Sequence, residues 1–136
     1  MDFRNNPDRR IRHWLSIPFI YLMALPIVLL HVLIEVYHSV CFPLYGIKKV
    51  NRADYVRMDR HRLKYLRWHE KLNCAYCGYA NGILRYSTEI AAQTEKYWCG
   101  IKHQEAKGFR EPAHHKSFLK YGDEQAYKKA LKQKKR

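Results

Sequence analysis

From Trp14 to Tyr45 the chain is apolar at nearly every position, and after Gly46 it is not. Between Trp14 and Ile34 the one side chain that titrates near neutrality is His31, and apolar character continues past Glu35 and His38 to Tyr45. A helix of about 20 apolar residues crosses a bilayer, so this stretch holds one span and is too short for two, which need roughly 40. It also exceeds the h-region of about 7 to 15 residues found in signal peptides, which disfavours a cleaved leader. Two topologies fit the pattern. One is a single membrane helix; the other is a re-entrant hairpin bending near Pro26, since Pro18 and Pro26 each remove a helix donor.

Beyond Gly46 the pattern becomes that of a basic, water-facing helical protein. Arg52 to Leu72 carries seven Lys/Arg with Tyr55, Met58, Tyr65, Leu66 and Leu72 at near-helical intervals, which predicts a basic amphipathic helix. Tyr65 and Trp68 among Arg62, Lys64 and Arg67 suit a membrane interface. Ile83, Ile90 and Tyr97, with Leu84, Ala91 and Trp98, repeat every seven residues and predict a helix over 83–98. Asn81-Gly82 is a turn signal, and Glu111-Pro112-Ala113 predicts a loop. The fold class is therefore mainly α: an N-terminal membrane helix or re-entrant hairpin followed by a small helical Cys/His domain. Its expected parts are a basic arm (1–13), a membrane segment (14–45), a basic amphipathic helix (46–72), a helical Cys/His metal unit (73–122) and a mobile basic tail (123–136).

Charge adds direction to this picture. The formal charge is +14, and only four of the 26 basic residues precede Gly46. Arg4, Arg9, Arg10 and Arg12 flank the apolar run on one side, Lys48, Lys49, Arg52, Arg57, Arg60 and Arg62 on the other. Basic flanks favour the cytoplasmic face, and the heavier flank follows the apolar run, which predicts a cytoplasmic C-terminal domain. Anionic lipid headgroups attract such a surface by about 1 kcal/mol per Lys/Arg. An acidic protein partner is also possible by charge, and single-stranded nucleic acid is the weaker reading because the apolar run already positions this face at a membrane.

Four side chains carry the candidate chemistry. Cys74-x2-Cys77 and Cys99-x3-His103 offer three thiolates and an imidazole, the donor set of a tetrahedral zinc or iron site. Gly78 and Gly100 follow cysteines as in a knuckle that turns backbone N–H groups toward sulfur. If 83–98 is helical, one shared ion requires the chain to turn back at Asn81-Gly82; otherwise there are two half-sites, His69 joining Cys74 and Cys77, and His114 or His115 joining Cys99 and His103. A redox dithiol, a structural disulfide and simple burial compete with metal, and His114 and His115 also read as solvated loop residues. Cys41 reads as packing. His31, Glu35 and His38 fall on one helical stripe at membrane depth, either at the headgroup level or as a ligand or proton-handling set.

The strings Asn73-Cys74-Ala75-Tyr76-Cys77-Gly78-Tyr79-Ala80-Asn81-Gly82 and Tyr97-Trp98-Cys99-Gly100-Ile101-Lys102-His103 resemble those of an uncharacterised family of small bacterial membrane proteins. The resemblance covers about the central third of the chain, implies a bacterial source and an inner-membrane location, and carries no activity. The functional expectation is a membrane-anchored, metal-binding accessory or scaffold protein, with zinc rather than iron fixing a basic cytoplasmic surface. The alternative is a redox or metalloenzyme component using thiolate-bound iron or the His31/Glu35/His38 stripe. No Gly-rich phosphate loop or nucleophile elbow is present, so the balance leans away from an enzyme.

Overall fold

The computed structural model describes residues 6–134, so Arg4, Lys135 and Arg136 of the basic ends lie outside the described residues. The chain is mainly α-helical: α1 (Arg10–Leu22), α2 (Ala24–Tyr45), α3 (Trp68–Trp98) and α4 (Glu124–Lys134). No strand forms among the described residues, where Ile101 and Leu119 make an isolated parallel bridge. The chain divides into two compact units, Met1–Ile90 and Ala91–Arg136, with the boundary inside α3.

The apolar run forms one helical stretch, Arg10–Tyr45, long and apolar enough to cross a membrane. No hairpin returns at Pro26. Pro26 sits in the first turn of α2, where its missing N–H costs nothing, and its ring disfavours helical bonding at the residue four before it, Leu22. The seam between α1 and α2 falls there, at Met23, in αR geometry that continues the helical path. Gly46 at φ 68° ends α2, with its N–H on Pro43 O and that of Ile47 on Phe42 O.

In the first unit α2 and α3 meet through side chains, and the segment 46–67 packs against the same two clusters. Tyr76 Oη donates to Ile20 O (2.8 Å), Ile27 packs with Ala80 and Ile83, His31 meets Tyr79, and Phe42 packs with Tyr86 and Ile90. Residue numbers rise together along both helices, so α2 and α3 are parallel. Parallel neighbours need a returning crossover, and 46–67 supplies it. This segment was expected to be helical and is not: it is extended, with short 3-10 turns at Arg52–Asp54 and Arg60–Arg62. Tertiary packing overrides its helical spacing, because Val50, Tyr55 and Val56 insert between the two helices.

Two glycines admit that crossover. A Cβ on Gly78 would stand 2.7 Å from Arg57 O, and one on Gly82 2.8 Å from Val56 Cα. Neither glycine makes the expected turn; both lie inside α3, and their missing side chains let the crossover backbone lie directly on the helix. Asn81 is helical too, its amide donating to Cys77 O at 2.9 Å.

In the second unit the tail expected to be mobile forms α4. Asp123 Oδ1 caps it by accepting from Ala126 N at 2.9 Å, and Glu124 pairs with Lys128 one turn on.

Candidate metal centre

Glu95 stands in the last turn of α3. Both Cys99 N–H and Gly100 N–H bond to Glu95 O, and Gly100 at φ 67° turns the chain out of the helix. The strand-like contact that follows is closed by Lys102 N–H on Leu119 O (2.8 Å) and Leu119 N–H on Gly100 O (2.9 Å). Lys102 Nζ pairs with Glu111 at 2.8 Å across the intervening loop. A 3-10 turn over Ala113–Ser117 then presents His114 and His115. His115 is wholly buried and stacks on Phe118 at 4.7 Å.

These elements gather three imidazoles around one carboxylate. Glu95 Oε2 meets His114 Nε2 at 2.7 Å, and Oε1 meets His115 Nε2 at 3.1 Å. The His103 ring lies 5.4 Å from that of His115. One donor atom each from Glu95, His103 and His115 fall within 4.8 Å of one another. An ion with bonds of about 2.0–2.2 Å holds its ligand atoms roughly 3–4 Å apart, so the group needs a closure of about an ångström to form a shell. His115 Nδ1 is buried without a hydrogen-bond partner among the described residues, an arrangement that favours additional coordination or bonding nearby. Hydrogen bonds from His114 foremost, and from His115, hold the Glu95 carboxyl below its usual range despite partial burial. A carboxylate kept ionised among imidazoles suits a cation. A cavity of about 580 Å³ opens beside His103, lined also by Lys102, Phe109, Lys120 and Tyr121.

The cysteines fall elsewhere. Cys74 and Cys77 are free and one turn apart on α3 in the first unit, with His69 exposed near the start of that helix. The turn at Asn81-Gly82, on which a shared ion with Cys99 and His103 depended, is absent because that stretch is helix. Cys99 and His103 do not share a helical face either, since Gly100 ends the helix between them. Cys99 is exposed, its Sγ 4.0 Å from Ile101 O. Of the sequence-derived set, His103, His114 and His115 come together. Glu95 was missed. Its signal was its place one turn before a Cys-Gly helix end.

The stripe on α2 is occupied by protein partners. Arg52 Nη1 donates to Glu35 Oε1 (3.1 Å) and to His31 Nε2 (3.2 Å), and Val50 N–H donates to His38 Nε2 (2.9 Å). Because those ring nitrogens accept, the opposite Nδ1 atoms carry the protons and donate to Tyr79 Oη and Tyr86 Oη, each at 3.0 Å. Burial first, and Glu35 second, push the Tyr86 hydroxyl up, so it stays a donor. Arg52 beside Glu35 and His31 also opposes a metal cation at that point. The stripe is a clasp that fastens the crossover to α2.

Set against known proteins, the chain matches no protein-family model, no curated protein and no solved structure.

Proposed function

We propose that this is a membrane-attached metal-binding accessory protein, in which Glu95, His103 and His115, with His114 in reserve, hold a divalent cation that fixes the second unit. The observation that carries the reading is the convergence of the half-buried Glu95 carboxylate, the exposed His103 imidazole and the buried His115 imidazole within 4.8 Å. Zinc is preferred over iron: it accepts this N/O donor set, has no redox chemistry, and contributes folding free energy to a small unit with little apolar core. The exposed apolar helix supports attachment to a membrane, and the +14 charge supports anionic headgroups or an acidic protein as what the surface meets. The resemblance of its cysteine strings to small bacterial membrane proteins supports a bacterial inner membrane, with the basic C-terminal part cytoplasmic. A metalloenzyme component is the second reading. The cavity beside His103 favours it, since catalytic ions keep an open position.

Metal analysis of the full chain purified in detergent tests both readings. The expected result is stoichiometric zinc that is lost in His115→Ala and in Glu95→Ala and kept in the Cys74→Ser/Cys77→Ser double variant. Zinc that follows the cysteines instead removes the His/Glu assignment. Bound iron with a colour sensitive to His103→Ala moves the balance to the second reading, and absence of metal from freshly isolated protein removes both.

A further inference from the structure

Soluble proteins cover most of their large apolar side chains; along α1 and α2 most stay exposed, and of these two helices only Ile27, His38 and Phe42 are buried. Only 6% of the most apolar 18-residue window is buried, so this is no core helix. The covered and half-covered side combines apolar Ile27, Ile34 and Phe42 with His31, Glu35 and His38. The positions that face outward are Leu15, Phe19, Leu22, Leu29, Val36 and Leu44 with their neighbours, and from Trp14 to Leu44 the exposed positions are apolar except Ser39. Leu15, Leu29 and Leu44 are 65%, 59% and 76% exposed. An apolar surface of that continuity requires an apolar neighbour.

The opposite side of the same helix decides how that neighbour is approached. The crossover lies alongside the middle of the apolar run, with Arg52 on Glu35 and His31 and Val56 on Ile27. Exposed Asn51, Asp54, Arg57 and Asp59 belong to this segment. Were α2 to stand upright across a bilayer, these groups would stand at the same depth as Ile27 to His38, within hydrocarbon. Ionisable groups there are strongly disfavoured unless they face protein or water. Length points the same way: 36 helical residues run about 54 Å, against a hydrocarbon core of about 30 Å. Laid flat, the helix has no such limit. Exposed Arg9, Arg10 and Arg12 at one end and Lys48 and Lys49 at the other then sit at one headgroup level, as two basic flanks with one preference require.

We infer that α1 and α2 lie in the plane of one leaflet of an anionic bilayer, apolar face down, with the crossover and α3 on the water side. This deepens the membrane attachment proposed above and rests on it. Apolar faces of in-plane helices sink about 5–10 Å, to the boundary of headgroups and acyl chains.

The test uses the full chain with phosphatidylcholine vesicles containing phosphatidylglycerol. Nitroxides at Leu15→Cys, Leu29→Cys and Leu44→Cys, in a cysteine-free background that keeps the wild-type circular dichroism, are read by power saturation. The expected result is one shallow depth for all three. Leu29 near the midplane, with Leu15 and Leu44 at opposite surfaces or back at one surface, overturns the inference. If the cysteine-free chain does not fold, polarised infrared dichroism of the unmodified chain in aligned bilayers replaces it. Because α3 runs along α2, both helices lie flat in the expected result, and helices along the bilayer normal overturn it. Vesicle flotation separates the two levels: a chain that floats but stands upright removes only the in-plane geometry, whereas a chain that stays in solution, or a detergent-free dimer indifferent to vesicles, removes membrane attachment as well.

Discussion

At the scale of single residues, absence of a side chain does as much as its presence. Gly82 lets Val56 approach α3, and an added methyl would meet backbone atoms of a segment already held by Arg52 and Val50. Replacing glycine by alanine within a helix ordinarily stabilises by about 1 kcal/mol. Here overpacking against backbone outweighs that gain. Gly82→Ala is expected to destabilise the first unit by about 1–3 kcal/mol in denaturant titration. Exposed Asn81→Ala, one residue away, should change it by less than about 0.5 kcal/mol. Equal effects at the two positions would mean that the crossover does not rest on this face. Glu95 offers a second residue-scale test. Its carboxyl is depressed in the folded chain, so its contribution to stability is complete above the unfolded carboxylate value of 4.5 and fades as pH falls through the lower folded value. In metal-free protein, protection of the Ala113–Ser117 turn against proteolysis should weaken in that acidic window, and Glu95→Gln should flatten the response.

At the scale of elements, legibility in the sequence followed the range of the interaction. The apolar run and the seven-residue repeat of Ile83, Ile90 and Tyr97 are local patterns, and both became helix. The basic helix expected over 46–72 did not form before Trp68, because what the crossover does depends on the helices on either side of it. Gly78, Gly82 and Gly100 look alike in a sequence. Two are close-packing positions and one is a left-handed helix end, and that distinction appears only when the neighbouring chain is in place. The candidate metal site was half legible for the same reason. His103, His114 and His115 attract notice by type, but Glu95 becomes their partner only through the turn at Gly100 and the bridge from Ile101 to Leu119. Cysteine spacing, the most conspicuous pattern, proved the least informative about which groups meet.

At the scale of the whole molecule, a net +14 and a long exposed apolar face imply two attractions of different range. The charge acts over about 10 Å at 0.1 M salt and is screened beyond that, whereas burial of the apolar face is not screened. Binding to phosphatidylglycerol-containing vesicles is therefore expected to weaken as salt rises from low to molar concentration and then to level off above zero. Pure phosphatidylcholine should match that plateau at every salt concentration. Binding that vanishes at high salt would make the apolar face irrelevant, and binding indifferent to both salt and headgroup would do the same for the charge.

The clasp between α2 and its neighbours also constrains how the chain is made. His31 and His38 each find a tyrosine 48 residues later, and Glu35 finds Arg52 17 residues later. A ribosome delivers these groups in order. The apolar helix emerges with its polar stripe unsatisfied, and His31 and His38 complete their pairing only once Tyr79 and Tyr86, respectively, have left the exit tunnel. Long-separation contacts of this kind form late. On the membrane attachment proposed above, a lipid surface can cover the apolar face during that interval, so attachment to the bilayer is expected to precede closure of the unit.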